Sequence, residues 1–186
     1  MNKFVVTGGN PLHGSVQIGG AKNAAVAIIP ATVLAQGKCV LDNIPNISDV
    51  TLLLRILTEM GASVRMLGKK TVEIDTSHLV SHTVPYNLAK SMRASYYFLG
   101  ALLGRCREAS VFMPGGCNFG VRPIDQHIKG FEAMGASVEI DKGMINAQAG
   151  QLRGTHVYFD VVSVGATMNV MLAAARAKGL TILENV

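Results

Sequence analysis

The chain has 186 residues, of which 49% are hydrophobic, and its formal net charge is +5. That length is sufficient for one domain or for part of a larger one, and the composition can fill a large aliphatic core. The 17 Lys and Arg residues are scattered rather than arranged in a stripe with aromatic side chains, which argues against nucleic-acid binding and is compatible with an anionic small-molecule substrate.

The predicted elements follow one order in three successive stretches of about 70 residues. Each stretch opens with an apolar helix and turns at or near glycine into a short strand. In the first two stretches an amphipathic helix follows and ends at Gly61 or Gly135, before further strands. The predicted apolar helices are residues 24–36, 94–103 and 166–178; the first strands are 39–41, 110–113 and 181–183; the amphipathic helices are 49–60 and 124–134; the later strands are 63–66, 71–74 and 137–140.

The opening helices are apolar on nearly all faces, which is typical of buried helices. We therefore predict an α/β fold with helices inside and sheets outside. The third stretch stops just after its first strand, which would leave an apolar face uncovered. This pattern predicts a fragment of a longer polypeptide.

Membrane, disulfide and metal chemistry are not favoured. The longest apolar run, residues 24–35, is too short to cross a bilayer, and the N-terminus shows no leader pattern. Cys39, Cys106 and Cys117 form no close pair, which predicts reduced thiols and a cytoplasmic location. The five histidines lack metal-ligand spacing, so we expect no metal site.

The segment from Pro114 to His127 reads Pro-Gly-Gly-Cys-Asn-Phe-Gly-Val-Arg-Pro-Ile-Asp-Gln-His. Its glycines allow a ligand to approach the backbone closely. Cys117 would lie ahead of a helix N-terminus and near Arg122, and both features lower a thiol pKa and make the thiol reactive. The alternative is a glycine-rich turn with an incidental cysteine. Cys106, between Arg105 and Arg107, would be the rival reactive thiol.

Four motifs stand in register along the chain: Gly-Gly-Ala-Lys-Asn-Ala at 19–24, Ser-Met-Arg-Ala-Ser at 91–95, the Pro-Gly-Gly-Cys segment through 128, and Ser-Val-Gly-Ala-Thr at 163–167. Their order and spacing resemble the UDP-N-acetylglucosamine enolpyruvyl transferases. The resemblance covers the whole chain but only about the first half of a family member. It implies transfer of enolpyruvate from phosphoenolpyruvate to the sugar 3-hydroxyl with release of phosphate, the first committed step of peptidoglycan synthesis.

The resemblance also implies a fold of two domains, each an inside-out α/β barrel built from repeated βαβαββ units. Residues 1–20 would belong to the second domain, and residues 21–186 would form a truncated first domain with units at about 21–88, 89–160 and 161–186. The remaining half of the same polypeptide is therefore an expected partner.

The resemblance assigns roles to individual residues. Lys22 matches a lysine that contacts phosphoenolpyruvate, and Arg122 and Arg93 match arginines whose guanidinium can hold two oxygens of a phosphate or carboxylate. Cys117 matches the proposed proton donor, which also forms a covalent adduct with phosphoenolpyruvate and is alkylated by fosfomycin; no other cofactor is expected. Cys117, Lys22 and Arg122 would be catalytic, and the substrate-binding set would be Lys22, Asn23, Arg93, Tyr97, Arg122, Pro123, Ile124, Asp125, Gln126, Ser163, Val164 and Gly165.

The sequence also departs from the family pattern. Val161 stands where some members have a lysine, and the family's carboxylate base and further arginines lie beyond residue 186. We therefore expect residues 1–186 alone to be inactive. The alternatives are a non-catalytic nucleotide-sugar-binding paralogue and the shikimate-3-phosphate enolpyruvyl transferase; the Lys22-Asn23 pair and the cysteine favour the sugar-nucleotide enzyme.

Several singled-out residues have a structural interpretation. His127 is expected to support its neighbours rather than to react. Tyr97, like Tyr96, lies in an apolar helix where core packing explains it as well as uridine contact does. Asp49 and Asp125 are each placed to cap the helix that follows.

Overall fold

The computed structural model describes residues 3–113 and 124–186. Its helices confirm the five predicted ones, with ends shifted by a few residues, and add a short helix before the second apolar one. Two of the apolar helices are extended by a 3-10 turn. The helices are Lys22–Ala31 (α1), Ser48–Glu59 (α2), Tyr86–Ala89 (α3), Tyr97–Cys106 (α4), Asp125–Ala133 (α5) and Val164–Ala174 (α6), and the 3-10 turns are Thr32–Ala35 and Arg93–Tyr96.

Eight strands form two three-stranded sheets and one strand pair in the described part of the chain. The sheets have the orders β1-β3-β2 and β4-β6-β5, and all their pairings are antiparallel. The recurrence of one strand order agrees with the repeat predicted for the first two stretches. The strands are Lys38–Leu41 (β1), Ser63–Met66 (β2), Val72–Asp75 (β3), Glu108–Phe112 (β4), Ser137–Asp141 (β5), Met144–Gln148 (β6), His156–Tyr158 (β7) and Ile182–Glu184 (β8).

The third repeat is represented by a parallel pair. β7 pairs with β8 in the register Val157 to Leu183. A parallel bridge from Thr83 to Ser110 provides the same contact beside β4 in the second repeat. In the second and third repeats, the segment that precedes the apolar helix therefore runs alongside the strand that follows the helix, as in a βαβ unit.

Helix α4 lies in the interior, as predicted, whereas α1 and α6 are buried on one side and exposed on the other, with Ile28 47% and Met171 52% exposed. Residues 98–103 of α4 are all buried, and α4 packs against α1, α6 and β4. Gly100 contacts Asn169 of α6, and Gly104, one turn later, contacts Leu172 of the same helix. The two helices therefore run parallel, because the contact nearer the N-terminus of α4 is also the one nearer the N-terminus of α6.

The neighbouring helices share this direction. His127 of α5 approaches Gly165 of α6, and Gly130 approaches Val170. At the other end, Gly104 contacts Leu34 in the turn that follows α1. The N-termini of α1, α4, α5 and α6 therefore lie toward one end of the helix layer. Positive ends of helix dipoles gather there, which favours anions.

Residues 3–19 contain no helix or strand and are exposed throughout. At their end, Gly20 approaches the loop before α2 so closely that a Cβ atom would lie 1.8 Å from the backbone oxygen of Asn43. This position therefore requires glycine. Among the described helices, none is both long and apolar enough to span a bilayer.

Candidate functional site

Lys22 is the first residue of α1 and lies beside the start of α2. Its Nζ is 2.5 Å from Oδ2 of Asp49, which is in the first turn of α2. The prediction that Asp49 caps α2 is wrong, because Ile47 occupies the N-cap position. The sequence pattern indicates where α2 begins, but it does not indicate that Lys22, from a distant segment, pairs with Asp49. Asn23, next to Lys22, is exposed.

Arg93 lies in the turn that leads into α4. Its guanidinium is 5.6 Å from the ring centroid of Tyr96, within cation–π range. Tyr96 is buried, whereas Tyr97 is half-buried and packs against the core. Burial raises the pKa of the Tyr97 hydroxyl, and the positive charge of Arg93 partly offsets this effect. Arg93 is thus held at the helix start by an aromatic neighbour.

Gln126 joins the start of α5 to the segment before α6. Gln126 is 6% exposed, and its side chain accepts a hydrogen bond from Asp160 N at 2.9 Å and donates to Asp160 Oδ2 at 3.2 Å. Lys129 Nζ donates to the other carboxylate oxygen at 2.6 Å. These hydrogen bonds, first from Lys129 and then from Gln126, lower the pKa of Asp160. The Gln126 amide is therefore engaged with Asp160 rather than free to contact a ligand.

The start of α5 corrects a second capping prediction. Asp125 is the first helical residue, and the buried Ile124 occupies the N-cap position. Asp125 is exposed in the first turn of α5, where its negative charge still interacts favourably with the positive end of the helix dipole.

The Ser-Val-Gly motif forms the start of α6. Ser163 is the N-cap residue, and its Oγ accepts a hydrogen bond from Ala166 N at 3.3 Å. Val164 is 67% exposed, so this helix end is open to solvent. Gly165 faces α5, and a Cβ atom there would lie 3.4 Å from Nε2 of His127. Val161 is also exposed.

A buried side chain, Asn169 of α6, connects this helix to α5 and to the start of α4. Its Nδ2 donates to the Tyr96 carbonyl at 2.8 Å and lies 3.0 Å from Nδ1 of His127. Its Oδ1 accepts from Gly100 N at 2.7 Å. Asn169 is fully buried, and a buried polar group of this kind is retained only when its hydrogen bonds are made. Sequence reasoning did not find Asn169, because its partners are far away along the chain.

His127 is a supporting residue within this cluster. It is 5% exposed and packs edge-on against the Tyr96 ring, with 5.8 Å between the centroids. Burial, then the charge of Arg93, lowers the pKa of His127 from 6.5 to about 4, while Asp125 acts in the opposite direction. His127 is therefore neutral at pH 7, consistent with its Nδ1 accepting from Asn169.

Stability should depend on pH through His127. The unfolded chain binds a proton near pH 6.5 and the folded chain near pH 4, so unfolding takes up a proton between these values. Stability should fall as the pH drops through this window, by about 3 kcal/mol in total. Urea unfolding of the full-length polypeptide at pH 7 and pH 5 measures this, and the His127→Asn variant should show a smaller difference. An equal difference in wild type and variant would contradict the assignment; the exposed His13 provides the matched His13→Asn control.

Cys117, Arg122 and Pro123 lie outside the described residues, so their predicted roles stay predictions. Cys106 is described, and the expectation that it rivals Cys117 as a reactive thiol is not supported. Desolvation raises the pKa of the Cys106 thiol, and the charge of Arg105 offsets only part of this effect.

Within residues 3–113 and 124–186, no group of three or more His, Cys, Asp or Glu side chains is placed to hold a metal ion.

This arrangement of parallel helices and outer antiparallel sheets belongs to the class of enolpyruvyl transferase folds, as two solved structures show. The enolpyruvyl transferase NikO from Streptomyces tendae superposes with a TM-score of 0.77 at 23% identity, over 95% of this chain and 41% of that one. EPSP synthase from Acinetobacter baumannii gives a TM-score of 0.67 at 20% identity, over 91% of this chain and 40% of that one. The fold is therefore that of the enolpyruvyl transferases.

The family follows from the sequence itself. Residues 6–186 match the EPSP synthase (3-phosphoshikimate 1-carboxyvinyltransferase) family, and the chain belongs to that family. It is 57% identical over 185 residues to UDP-N-acetylglucosamine 1-carboxyvinyltransferase 3 of Caldanaerobacter subterraneus, and 59% identical over 186 residues to UDP-N-acetylglucosamine 1-carboxyvinyltransferase 2 of Clostridium acetobutylicum. Each match covers the whole chain and 44% of the relative, so the chain spans less than half the length of these proteins.

Proposed function

We propose that the polypeptide to which this chain belongs transfers enolpyruvate from phosphoenolpyruvate to the 3-hydroxyl of UDP-N-acetylglucosamine, releasing phosphate, in peptidoglycan synthesis. One observation carries the choice of acceptor: the relatives named for that acceptor are 57% and 59% identical throughout the chain. The solved structures at 20% and 23% identity support only the fold.

The described geometry suits two anionic substrates. Phosphoenolpyruvate carries a phosphate and a carboxylate, and the sugar nucleotide carries a diphosphate. Lys22 and Arg93 supply cations at the end of the layer where the helix starts gather. The open start of α6, with Ser163 and Gly165, offers backbone N–H groups to a phosphate oxygen. Fixed donors of this kind stabilise negative charge without having to reorganise.

The reaction needs a proton donor and a base. In the addition step, C3 of phosphoenolpyruvate gains a proton while the sugar oxygen bonds to C2 and loses its own proton to a base. In the elimination step, phosphate leaves C2 and C3 loses a proton. We assign the proton donor to Cys117 with Arg122 beside it, and we place the base and further arginines in the rest of the polypeptide.

Domain organisation and location are part of the proposal. Residues 1–20 would pack with a second domain, and residues 21–186 would form most of the first one. The exposed apolar side chains of Val16 and Ile18, both 90% exposed, support a partner surface for that segment. The protein would act in the cytoplasm, and fosfomycin would inactivate it by alkylating Cys117.

Phosphate release by the full-length polypeptide tests the proposal. Phosphoenolpyruvate with UDP-N-acetylglucosamine should release phosphate, whereas phosphoenolpyruvate with shikimate 3-phosphate should not. Phosphate release with shikimate 3-phosphate but not with UDP-N-acetylglucosamine would show that shikimate 3-phosphate is the acceptor. No release with either, despite nucleotide-sugar binding, would identify a binding paralogue.

The thiol assignment has its own measurement. Intact mass and peptide mapping after incubation with both substrates should place an adduct on the Cys117 peptide. Cys117→Ser should abolish the adduct, and Cys106→Ser should keep it, because the pKa of the Cys106 thiol is raised. An adduct that survives Cys117→Ser would overturn the assignment.

A further inference from the structure

The structure assigns a task to Asp49: we propose that it is a positioning residue that orients the Lys22 ammonium toward the anionic substrate. The inference rests on the proposed function for its substrate, phosphoenolpyruvate. Its physical basis is the 2.5 Å contact between Asp49 Oδ2 and Lys22 Nζ. The capping role expected for this aspartate belongs instead to the position of Ile47.

Asp49 is well placed to act as a fixed point. It lies in the first turn of the twelve-residue helix α2, where a negative side chain is favoured by the helix dipole. Ser48 Oγ donates to its other oxygen, Oδ1, at 3.4 Å. The Asp49 side chain is 26% exposed, against 58% for Lys22. The carboxylate is therefore the more firmly held partner, and the lysine is the one that is positioned.

The chain brings these two helix starts together by a close backbone contact. Gly20 lies against the carbonyl of Asn43 and the ring of Pro45, where any side chain would collide. Gly20 is two residues before Lys22, and Pro45 is four residues before Asp49. The turn before α1 is thus seated on the loop before α2, which places the ammonium within reach of the carboxylate.

The pairing changes what the lysine can do. A lysine ammonium is a point charge on a flexible four-carbon stem, so an unpaired one occupies many positions. It has three N–H donors, of which Asp49 takes one and leaves two for substrate oxygens. Exposed ion pairs contribute little to folding stability, so loss of this one should affect the substrate far more than the fold.

Steady-state kinetics of the full-length polypeptide provide the functional test. Asp49→Ala should lower kcat/KM for phosphoenolpyruvate by about ten- to a hundredfold, because small displacements of a binding group have effects of that size. Asp49→Asn keeps an acceptor oxygen and should lose less, and Asp49→Glu should recover part of the activity. The dissociation constant for UDP-N-acetylglucosamine and the thermal midpoint should stay close to wild type.

A matched control and a double variant separate positioning from general damage. Glu73 is 20% exposed and pairs with Arg65 at 3.3 Å on the outer sheet, so Glu73→Gln should leave kcat/KM unchanged. If Asp49 acts through Lys22, adding Asp49→Ala to Lys22→Ala should cause no further loss. Full additivity of the two losses, or a kcat/KM within twofold of wild type for Asp49→Ala, would overturn the inference.

A chemical readout stands apart from activity. A carbodiimide converts a touching lysine and aspartate into an amide with loss of water, and peptide mapping should find Lys22 joined to Asp49. The Lys129–Asp160 pair, at 2.6 Å, serves as the positive control in the same sample. If the wild type releases no phosphate, the proposed function fails and the cross-link still tests the pairing. A cross-link at the control pair but none at Lys22 would refute the pairing itself.

Discussion

The Gly100→Ala variant should lose about 3–5 kcal/mol of folding stability, among the largest effects of any single substitution in the chain. The added Cβ would lie 2.0 Å from the backbone oxygen of Asn169. A backbone atom cannot move aside as a flexible side chain can, so α4 and α6 would have to separate. Separation would also break the hydrogen bond from Gly100 N to Asn169 Oδ1 and expose polar groups that have no other partner.

Chemical denaturation of the full-length polypeptide measures this loss. Gly150→Ala is the matched control, because a Cβ atom at Gly150 meets nothing within 4 Å. That control should stay within about 0.5 kcal/mol of wild type. Equal midpoints for the two variants would show that the contact between α4 and α6 is looser than the structure describes.

The Lys22→Ala variant should lower kcat/KM for phosphoenolpyruvate by about a hundred- to a thousandfold, the usual effect of removing one donor from a charge-stabilising site. The loss is larger than that expected for Asp49→Ala, because the charge disappears rather than being misplaced. UDP-N-acetylglucosamine binding should persist, since the start of α6 and Arg93 belong to other elements.

Lys69→Ala is the control for a change in net charge, because Lys69 is exposed between β2 and β3. Its kinetic constants should match those of wild type. A Lys22→Ala enzyme with unchanged kcat/KM, measured by phosphate release across a range of phosphoenolpyruvate concentrations, would remove Lys22 from the site.

The interior helices were the part of the fold that the sequence predicted best. Continuous apolar faces, as in residues 98–103, require burial whatever the tertiary arrangement. The second strand of the second hairpin, β6, was missed because Ala147 and Asn146 are weak strand formers. Lys142 and Gly143, both with positive φ, form the turn before β6. The glycine in this pair could have indicated a hairpin turn and hence a second strand.

The residues that support the site were harder to predict for a physical reason. Capping is a local pattern, so the sequence predicts that Asp49 caps its own helix, whereas in the structure its partner is Lys22, 27 positions earlier. Asn169 and Asp160 are ordinary polar residues in sequence and acquire meaning only through partners on other helices. Long-range pairing of single side chains leaves no periodicity, and periodicity is what sequence reasoning detects.

The strand order of the two complete sheets has a consequence for how the chain is made. The central strand of each sheet, β3 or β6, is the last of its three in sequence. β1 therefore pairs with no other described strand until β3 leaves the ribosome, about 30 residues later, and β4, which already has the bridge from Thr83, still waits for its antiparallel partner β6. Each unit should consequently gain protection from hydrogen exchange in one step rather than strand by strand, with the first unit protected before the second during synthesis.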